Sequence, residues 1–130
     1  MKMSWLDVEK HNAKVFAARH GKDAVAADAA AAGTESKLQA DIASELRRRR
    51  WYFVQSRTDK STRTQLGVPD FIVAVPSQPP VTIWMECKTK TGKLSQEQTI
   101  TRHILEASYH HYFLVRSIRE AVESFNLLKL

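Results

Sequence analysis

The residues of this chain best suited to do chemistry together are two acids and a lysine on a predicted β-hairpin. The turn signal of that hairpin, Pro-Ser-Gln-Pro-Pro, is centred on Gln78. Antiparallel partners are symmetric about their turn, and Gln78 lies midway between Asp70 and Glu86. These two acids are therefore predicted to face each other, about 4.5–5.5 Å apart, if the hairpin has no bulge. Side chains alternate along a strand, so Lys88 falls on the same face as Glu86.

Two carboxylates held this close favour a divalent cation, because like-charge repulsion otherwise raises at least one of their pKa values. Carboxylate oxygens bind Mg²⁺ at about 2.1 Å. Such an ion supplies a nucleophilic hydroxide, neutralises charge and orients a phosphate, which are the needs of phosphodiester hydrolysis. The plainer alternative is a surface sheet on which Lys88 forms a salt bridge with Asp70 and Glu86. Spacing alone leaves both interpretations open.

The elements that would position this hairpin follow the order α-β-β-β-α-β-α from residue 34 onward, an α/β pattern. The first helix is predicted from Glu35 to Arg49, since Thr34 can cap it and its apolar residues repeat every four positions. Strands are predicted at residues 51–56, 68–75, 81–89 and 112–116. On the third strand alternate residues are apolar and are expected to face the core: Val81, Ile83, Met85 and Cys87.

Two later helices begin at capping-box patterns. The first box, Ser95 to Gln98, opens a helix of about fifteen residues. Its inward face is predicted to comprise Ile100, Ile104, Leu105 and Ala107. The second box, Ser117 to Glu120, opens the last helix, with Val122 and Phe125 inward.

The N-terminal third of the chain has a different composition. Residues 4–19 carry apolar side chains at helical spacing, and residues 22–33 are dominated by alanine. We expect residues 1–33 to form a helical arm or linker that could mediate dimerisation. The main domain is predicted over residues 34–130.

Composition excludes several classes of protein. A chain of 130 residues has room for one main core, and no apolar run is long enough to span a bilayer. One cysteine cannot form an intramolecular disulfide, and no structural zinc spacing is present. Residues 47–93 hold ten basic and three acidic side chains, which indicates an anionic partner. We expect a soluble, cytoplasmic protein.

Three short motifs resemble the virus-type replication-repair (VRR-Nuc) branch of the PD-(D/E)xK nucleases. They are Gly67-Val68-Pro69-Asp70, then Glu86-Cys87-Lys88, then Gly92-Lys93-Leu94-Ser95-Gln96-Glu97-Gln98. The resemblance covers about residues 34–123, and the predicted order of elements agrees with it. Val115-Arg116 is similar to the start of a Val-Arg-Arg signature, but Ser117 stands in place of its second arginine. The resemblance implies a restriction-endonuclease-like core with a mixed central sheet.

The resemblance also implies roles for individual residues. Asp70 and Glu86 would bind Mg²⁺ or Mn²⁺ together with the backbone carbonyl of Cys87, and Lys88 would position the attacking water or stabilise the transition state. Glu35 is similar to a helical acid that binds the metal directly or through water, although an acid in a first turn is also ordinary helix-dipole complementation. Gln98 is similar to a glutamine beside the site, and it is equally the capping-box partner of Ser95.

DNA is the anionic partner that the resemblance implies. The predicted phosphate contacts are Arg47, Arg48, Arg49, Arg50, Arg57, Lys60, Arg63, Lys90 and Lys93. For the four consecutive arginines, a solvated helix end is an equal alternative. Such contacts read shape and are sensitive to salt.

The function expected from these features is a metal-dependent, structure-specific DNA endonuclease of a bacterial or phage-infected cell. The leading interpretation is a homodimer similar to Holliday junction resolvases, because two symmetric incisions need two active sites. The alternatives are a flap, end-processing or nicking nuclease of phage origin, and a non-catalytic nucleic-acid-binding module on the same fold.

Overall fold

A computed structural model describes residues 33–56 and 66–127 of the chain. The predicted arm at residues 1–33 lies outside this part except for its last residue, Gly33. The elements are helix α1 (Glu35–Arg49), strands β1 (Phe53–Gln55), β2 (Phe71–Val75) and β3 (Val81–Cys87), helix α2 (Gln96–Ala107), strand β4 (His111–Val115) and helix α3 (Ile118–Leu127). This is the predicted order, in a mixed α/β fold. The first three strands are shorter than predicted, and β4 has the predicted length but begins and ends one residue earlier. None of the described helices is long and apolar enough to cross a membrane.

The four strands form one sheet in the order β1-β2-β3-β4. The first three are antiparallel neighbours, and β3 and β4 are parallel because α2 crosses over between them. In the β2–β3 hairpin Phe71 pairs with Met85 and Ile72 with Trp84, so the turn is centred on Gln78. Extended by one residue, this register places Asp70 opposite Glu86, as predicted.

Helix α1 has the predicted bounds for the predicted reasons. The Thr34 side chain accepts a hydrogen bond from the Lys37 backbone N–H at 3.1 Å. Arg50 ends the helix in the left-handed region, with φ of 60°. The residues that fix its inner face are buried: Leu38, Ile42, Ala43 and Leu46.

The sheet is covered on both faces. The larger core lies on the face with α1 and α3, where Ile83, Met85 and Cys87 of β3 are fully buried, as their alternation predicted. A smaller cluster on the other face joins Leu105 of α2 to Tyr112 of β4. Because the C-terminal half of β3 is covered on both faces, even the acid Glu86 is buried there, whereas Thr82 near the start of the strand is exposed.

The predicted inner face of α2 is wrong in part. Leu105 is buried, but Ile100 and Ile104 are 52% and 59% exposed and Ala107 is also exposed. The helix is rotated so that Gln98 reaches Glu86 and Leu105 reaches the sheet, which leaves the isoleucine stripe facing away from it. The helix has 12 residues rather than fifteen, because Ser108 ends it.

Candidate metal centre

Three carboxylates meet where β2 begins and β3 ends. Asp70 precedes the first residue of β2, Glu86 is the penultimate residue of β3, and Glu35 lies in the first turn of α1. One oxygen from each side chain lies within 4.8 Å of the other two. Asp70 is 5% exposed and Glu86 is 1% exposed, whereas Glu35 is partly exposed. The acids predicted from the hairpin register and from the resemblance are therefore brought together.

The strand backbone fixes the Asp70 carboxylate. The Cys87 backbone N–H donates to Asp70 Oδ2 at 2.8 Å, while the next N–H, of Lys88, donates to the Val115 carbonyl in β4 at 3.0 Å. The N–H and C=O of one strand residue point to the same side of the strand. The Cys87 carbonyl is therefore directed to the same side as Asp70, the orientation that its predicted role as a metal ligand requires.

A single oxygen of Glu86 has two polar neighbours. Gln98 Nε2 donates to Glu86 Oε1 at 2.8 Å, and Lys88 Nζ lies 3.9 Å from the same oxygen. Gln98 also completes the capping box of α2, where its Oε1 accepts from the Ser95 N–H at 2.8 Å. The two interpretations of Gln98 are thus compatible, since its amide caps the helix with one atom and contacts Glu86 with the other.

In the described part of the chain, the cluster contains three acids and has one ammonium group, that of Lys88, beside it, so its negative charge is not balanced. Burial, followed by the neighbouring charge of Asp70, raises the pKa of Glu86 to about 9. Burial also raises the pKa of Asp70, while the Cys87 N–H opposes that shift. The pKa of Glu35 is raised by burial as well, with the Lys88 charge acting in the opposite direction. One ammonium does not offset three carboxylates.

This donor set fits a hard divalent cation. Three carboxylates and one backbone carbonyl are oxygen ligands of the kind that Mg²⁺ and Mn²⁺ take. A divalent cation would supply the missing positive charge and favour the ionised carboxylates. The residues that would hold it are Asp70, Glu86 and Glu35, with the Cys87 carbonyl beside them.

No family model, curated protein or solved structure matches the chain.

The Cys87 thiol has no place in this chemistry. The side chain is fully buried in the main core, on the face opposite Glu86. Burial raises the thiol pKa, and the carboxylates nearby raise it further. Burial in the core and a raised pKa both argue against a thiolate nucleophile at this position.

The four consecutive arginines have different environments. Arg48 and Arg49 both pair with Glu45 of the same helix. The Arg49 guanidinium also stacks over Trp51 and Phe125, 5.0 and 5.4 Å from the ring centroids, so this side chain is part of the packing. Arg47 lies over Phe53, and Arg50 is exposed at the end of the helix.

Two lysines in the predicted DNA-binding set lie close to the cluster along the chain. Lys90 and Lys93 are exposed in the turn that follows Lys88. Arg57, Lys60 and Arg63 lie outside the described residues.

The sequence-based prediction of the site did not include Arg116, which contacts the turn beside the cluster. Arg116 donates through Nη1 to the carbonyls of Thr89, Lys90 and Gly92, the turn directly after Lys88. Its sequence signal was the Val115-Arg116 pair. Ser117, in the position of the second signature arginine, has a structural role, since its Oγ accepts from the Glu120 N–H at the start of α3.

Proposed function

We propose that this protein is a divalent-metal-dependent nuclease that hydrolyses DNA phosphodiester bonds, as its resemblance to VRR-Nuc domains implies. The observation that carries the proposal is the convergence of Glu35, Asp70 and Glu86 within 4.8 Å, with Lys88 Nζ 3.9 Å from Glu86. Three buried or half-buried acids beside one ammonium are costly for stability alone, which favours a functional origin.

Each residue has a role in this proposal. The carboxylates hold the cation, which when bound supplies Lewis-acid polarisation of the phosphate and of water. Lys88 is 12% exposed and lies at the edge of the cluster, where its charge can orient the attacking water or stabilise the negative charge that develops on the phosphate. Gln98 holds the Glu86 carboxylate in place through a hydrogen bond.

DNA is the proposed substrate because the acidic site lies within the most basic part of the sequence. Residues 47–93 carry a formal charge of +7, while the whole chain carries +6. Lys90 and Lys93 lie on the turn beside the site, where they can contact the phosphates that flank the scissile bond. Such contacts favour recognition of DNA shape over base sequence.

The proposal is tested by cleavage of end-labelled four-way junction, flap, single-stranded and plain duplex DNA in Mg²⁺ or Mn²⁺. Wild type is expected to cut at least one substrate, while Asp70→Asn and Glu86→Gln lose cutting. Asp41→Asn is the matched control, because this acid pairs with Lys37 on the exposed side of α1. Equal cutting by wild type and Asp70→Asn would contradict the proposal.

The substrate panel also separates the kinds of nuclease. Symmetric junction cuts by a dimeric protein would support the resolvase-like homodimer, and a strict monomer at micromolar concentration would exclude it. Cutting restricted to flaps or ends would indicate an end-processing enzyme. Metal-independent binding without any cutting would support the non-catalytic binding module instead.

A further inference from the structure

One guanidinium nitrogen of Arg116 donates hydrogen bonds to three backbone carbonyls of the same turn. Nη1 donates to the Gly92 carbonyl at 2.9 Å, to the Lys90 carbonyl at 3.3 Å, and to the Thr89 carbonyl. Arg116 directly follows Val115, whose carbonyl accepts from the Lys88 N–H. The same strand pairing therefore sets the positions of Arg116 and of Lys88.

The turn is closed on itself as well. The Gly92 N–H donates to the Thr89 carbonyl at 3.2 Å and to Thr89 Oγ1 at 3.1 Å. Without Arg116, the three carbonyls would lose their shared donor. Among the described residues, the hydrogen bonds that would still close the turn are those from the Gly92 N–H.

The residues on either side of this turn, Lys88 and Gln98, both lie against the same carboxylate oxygen, Glu86 Oε1. Lys88 precedes the turn and places Nζ 3.9 Å from Glu86 Oε1. Gln98 follows it and donates to the same oxygen at 2.8 Å. The chain segment from Glu86 to Gln98 therefore begins and ends at the proposed metal centre. Arg116 binds the turn in the middle of this segment.

We propose that Arg116 is a positioning residue: by fixing the turn from Thr89 to Gly92, it holds Lys88 and Gln98 against Glu86. The inference rests on the proposed nuclease function for its kinetic consequence. All the hydrogen bonds of the Arg116 guanidinium within residues 33–56 and 66–127 go to this turn, so the residue acts through the turn and does not touch the carboxylates. A planar guanidinium suits several carbonyls, whereas a lysine ammonium is a point donor.

The kinetic test compares Arg116→Met and Arg116→Lys with wild type on the DNA that wild type cuts. Methionine keeps much of the stem and loses every donor, so kcat is expected to fall by about 10–100-fold. Arg116→Lys restores one donor and is expected to lie between Arg116→Met and wild type. The KM for DNA should change less than about twofold, since the turn lysines remain present.

A second test needs no nuclease activity. Lys88 is 12% exposed, and its reactivity toward acetic anhydride, resolved by peptide mass spectrometry, reports its confinement. Arg116→Met is expected to raise this reactivity severalfold and to speed amide exchange over residues 89–95. Arg119→Met is the control, because Arg119 is an exposed arginine on α3 outside the proposed site.

The two tests separate the two proposals. If wild type cuts no DNA, the proposed function fails, and Lys88 reactivity alone then decides the role of Arg116. Wild-type kcat and wild-type Lys88 reactivity in Arg116→Met would overturn the inference. So would a fall in kcat that Arg116→Lys does not relieve, or one matched by an equal change in Arg119→Met.

Discussion

Ionising all three acids of the cluster costs free energy when no cation is bound, because the charged forms are desolvated and repel one another. A hydrogen bond from the Cys87 N–H and one from Gln98 offset part of this cost. The negative charge that these hydrogen bonds leave uncompensated predicts that divalent cations stabilise the protein.

At the residue scale, Asp70→Asn tests this imbalance. Asparagine keeps an oxygen to accept the Cys87 N–H but removes one charge, so the metal-free variant is expected to unfold at a higher temperature than metal-free wild type. Mn²⁺ should stabilise wild type, by about 2.7 kcal/mol at one hundred times its Kd, and leave the variant unchanged. Thermal unfolding with and without MnCl₂ measures both effects. An equal response of wild type and Asp70→Asn to Mn²⁺ would place the cation elsewhere.

A second residue-scale prediction concerns pH. The pKa of Glu86 is raised from 4.5 to about 9, so between these values the folded chain holds a proton that the unfolded chain has released. The free energy of unfolding without metal is therefore expected to fall as pH rises through this window, by up to about 1.4 kcal/mol per pH unit for one proton. Below pH 4.5 Glu86 is protonated in the folded and the unfolded chain, so its contribution to the free energy of unfolding is fully present there.

The measurement is urea denaturation in EDTA across this range of pH, with Glu86→Gln beside wild type. Glutamine carries no titrating proton, so the stability of the variant relative to wild type should increase as pH rises. A difference that stays constant with pH would show that Glu86 is ionised throughout.

At the scale of elements, two helices begin at the proposed metal centre from opposite faces of the sheet. The first turn of α1 contributes Glu35, and the first turn of α2 contributes Gln98. Both helices therefore direct their N-terminal ends, where the helix dipole is positive, toward the carboxylates. The position of α2 along the sheet decides whether Gln98 reaches Glu86.

The lack of a side chain at Gly67 allows the backbone to lie close to the first turns of α2. The φ of Gly67 is +85°, and a Cβ there would lie 2.5 Å from the Glu97 carbonyl oxygen and 2.7 Å from Thr101 Oγ1. Gly67→Ala is expected to destabilise the protein by at least about 2 kcal/mol, because backbone strain and a clash with the helix add. Urea denaturation gives the value.

The matched control is Gly33→Ala. Gly33 also has a positive φ, of +73°, but among the described residues a Cβ there meets Lys37 Cδ alone, at 3.4 Å. Its expected cost of about 1 kcal/mol reports backbone strain alone. If the two variants lost equal stability, contact with α2 would not be the reason for a glycine at position 67.

At the scale of the whole molecule, the proposed function gives the acidic centre and the basic residues near it opposite partners, a divalent cation and DNA. Lys90→Gln combined with Lys93→Gln is expected to weaken DNA binding similarly for different sequences and to reduce the salt slope of log K by about 2. Binding is measured in EDTA, where cleavage is absent, at several salt concentrations. Lys37→Gln is the control, since this lysine pairs with Asp41. An unchanged slope in the double variant would remove the turn from the DNA interface.

Much of this architecture was determined by local sequence. The bounds of α1 follow from its cap and its apolar repeat, and the pairing of Asp70 with Glu86 follows from symmetry about Gln78. Both depend on interactions between residues close in sequence or related by a single turn, where short-range geometry leaves few alternatives.

The tertiary structure decided what local rules cannot. The apolar residues of α2 predicted a face with Ile100 and Ile104 inward, yet the contacts of Gln98 and Leu105 turned that face outward. Nothing local marked Arg116 as the residue that binds the turn after Lys88, because its partners lie 24 to 27 residues away. Sequence determined which chemical groups are present and how each hairpin and helix forms. Packing decided which groups meet, since burial and long-range hydrogen bonds act only once the elements are assembled.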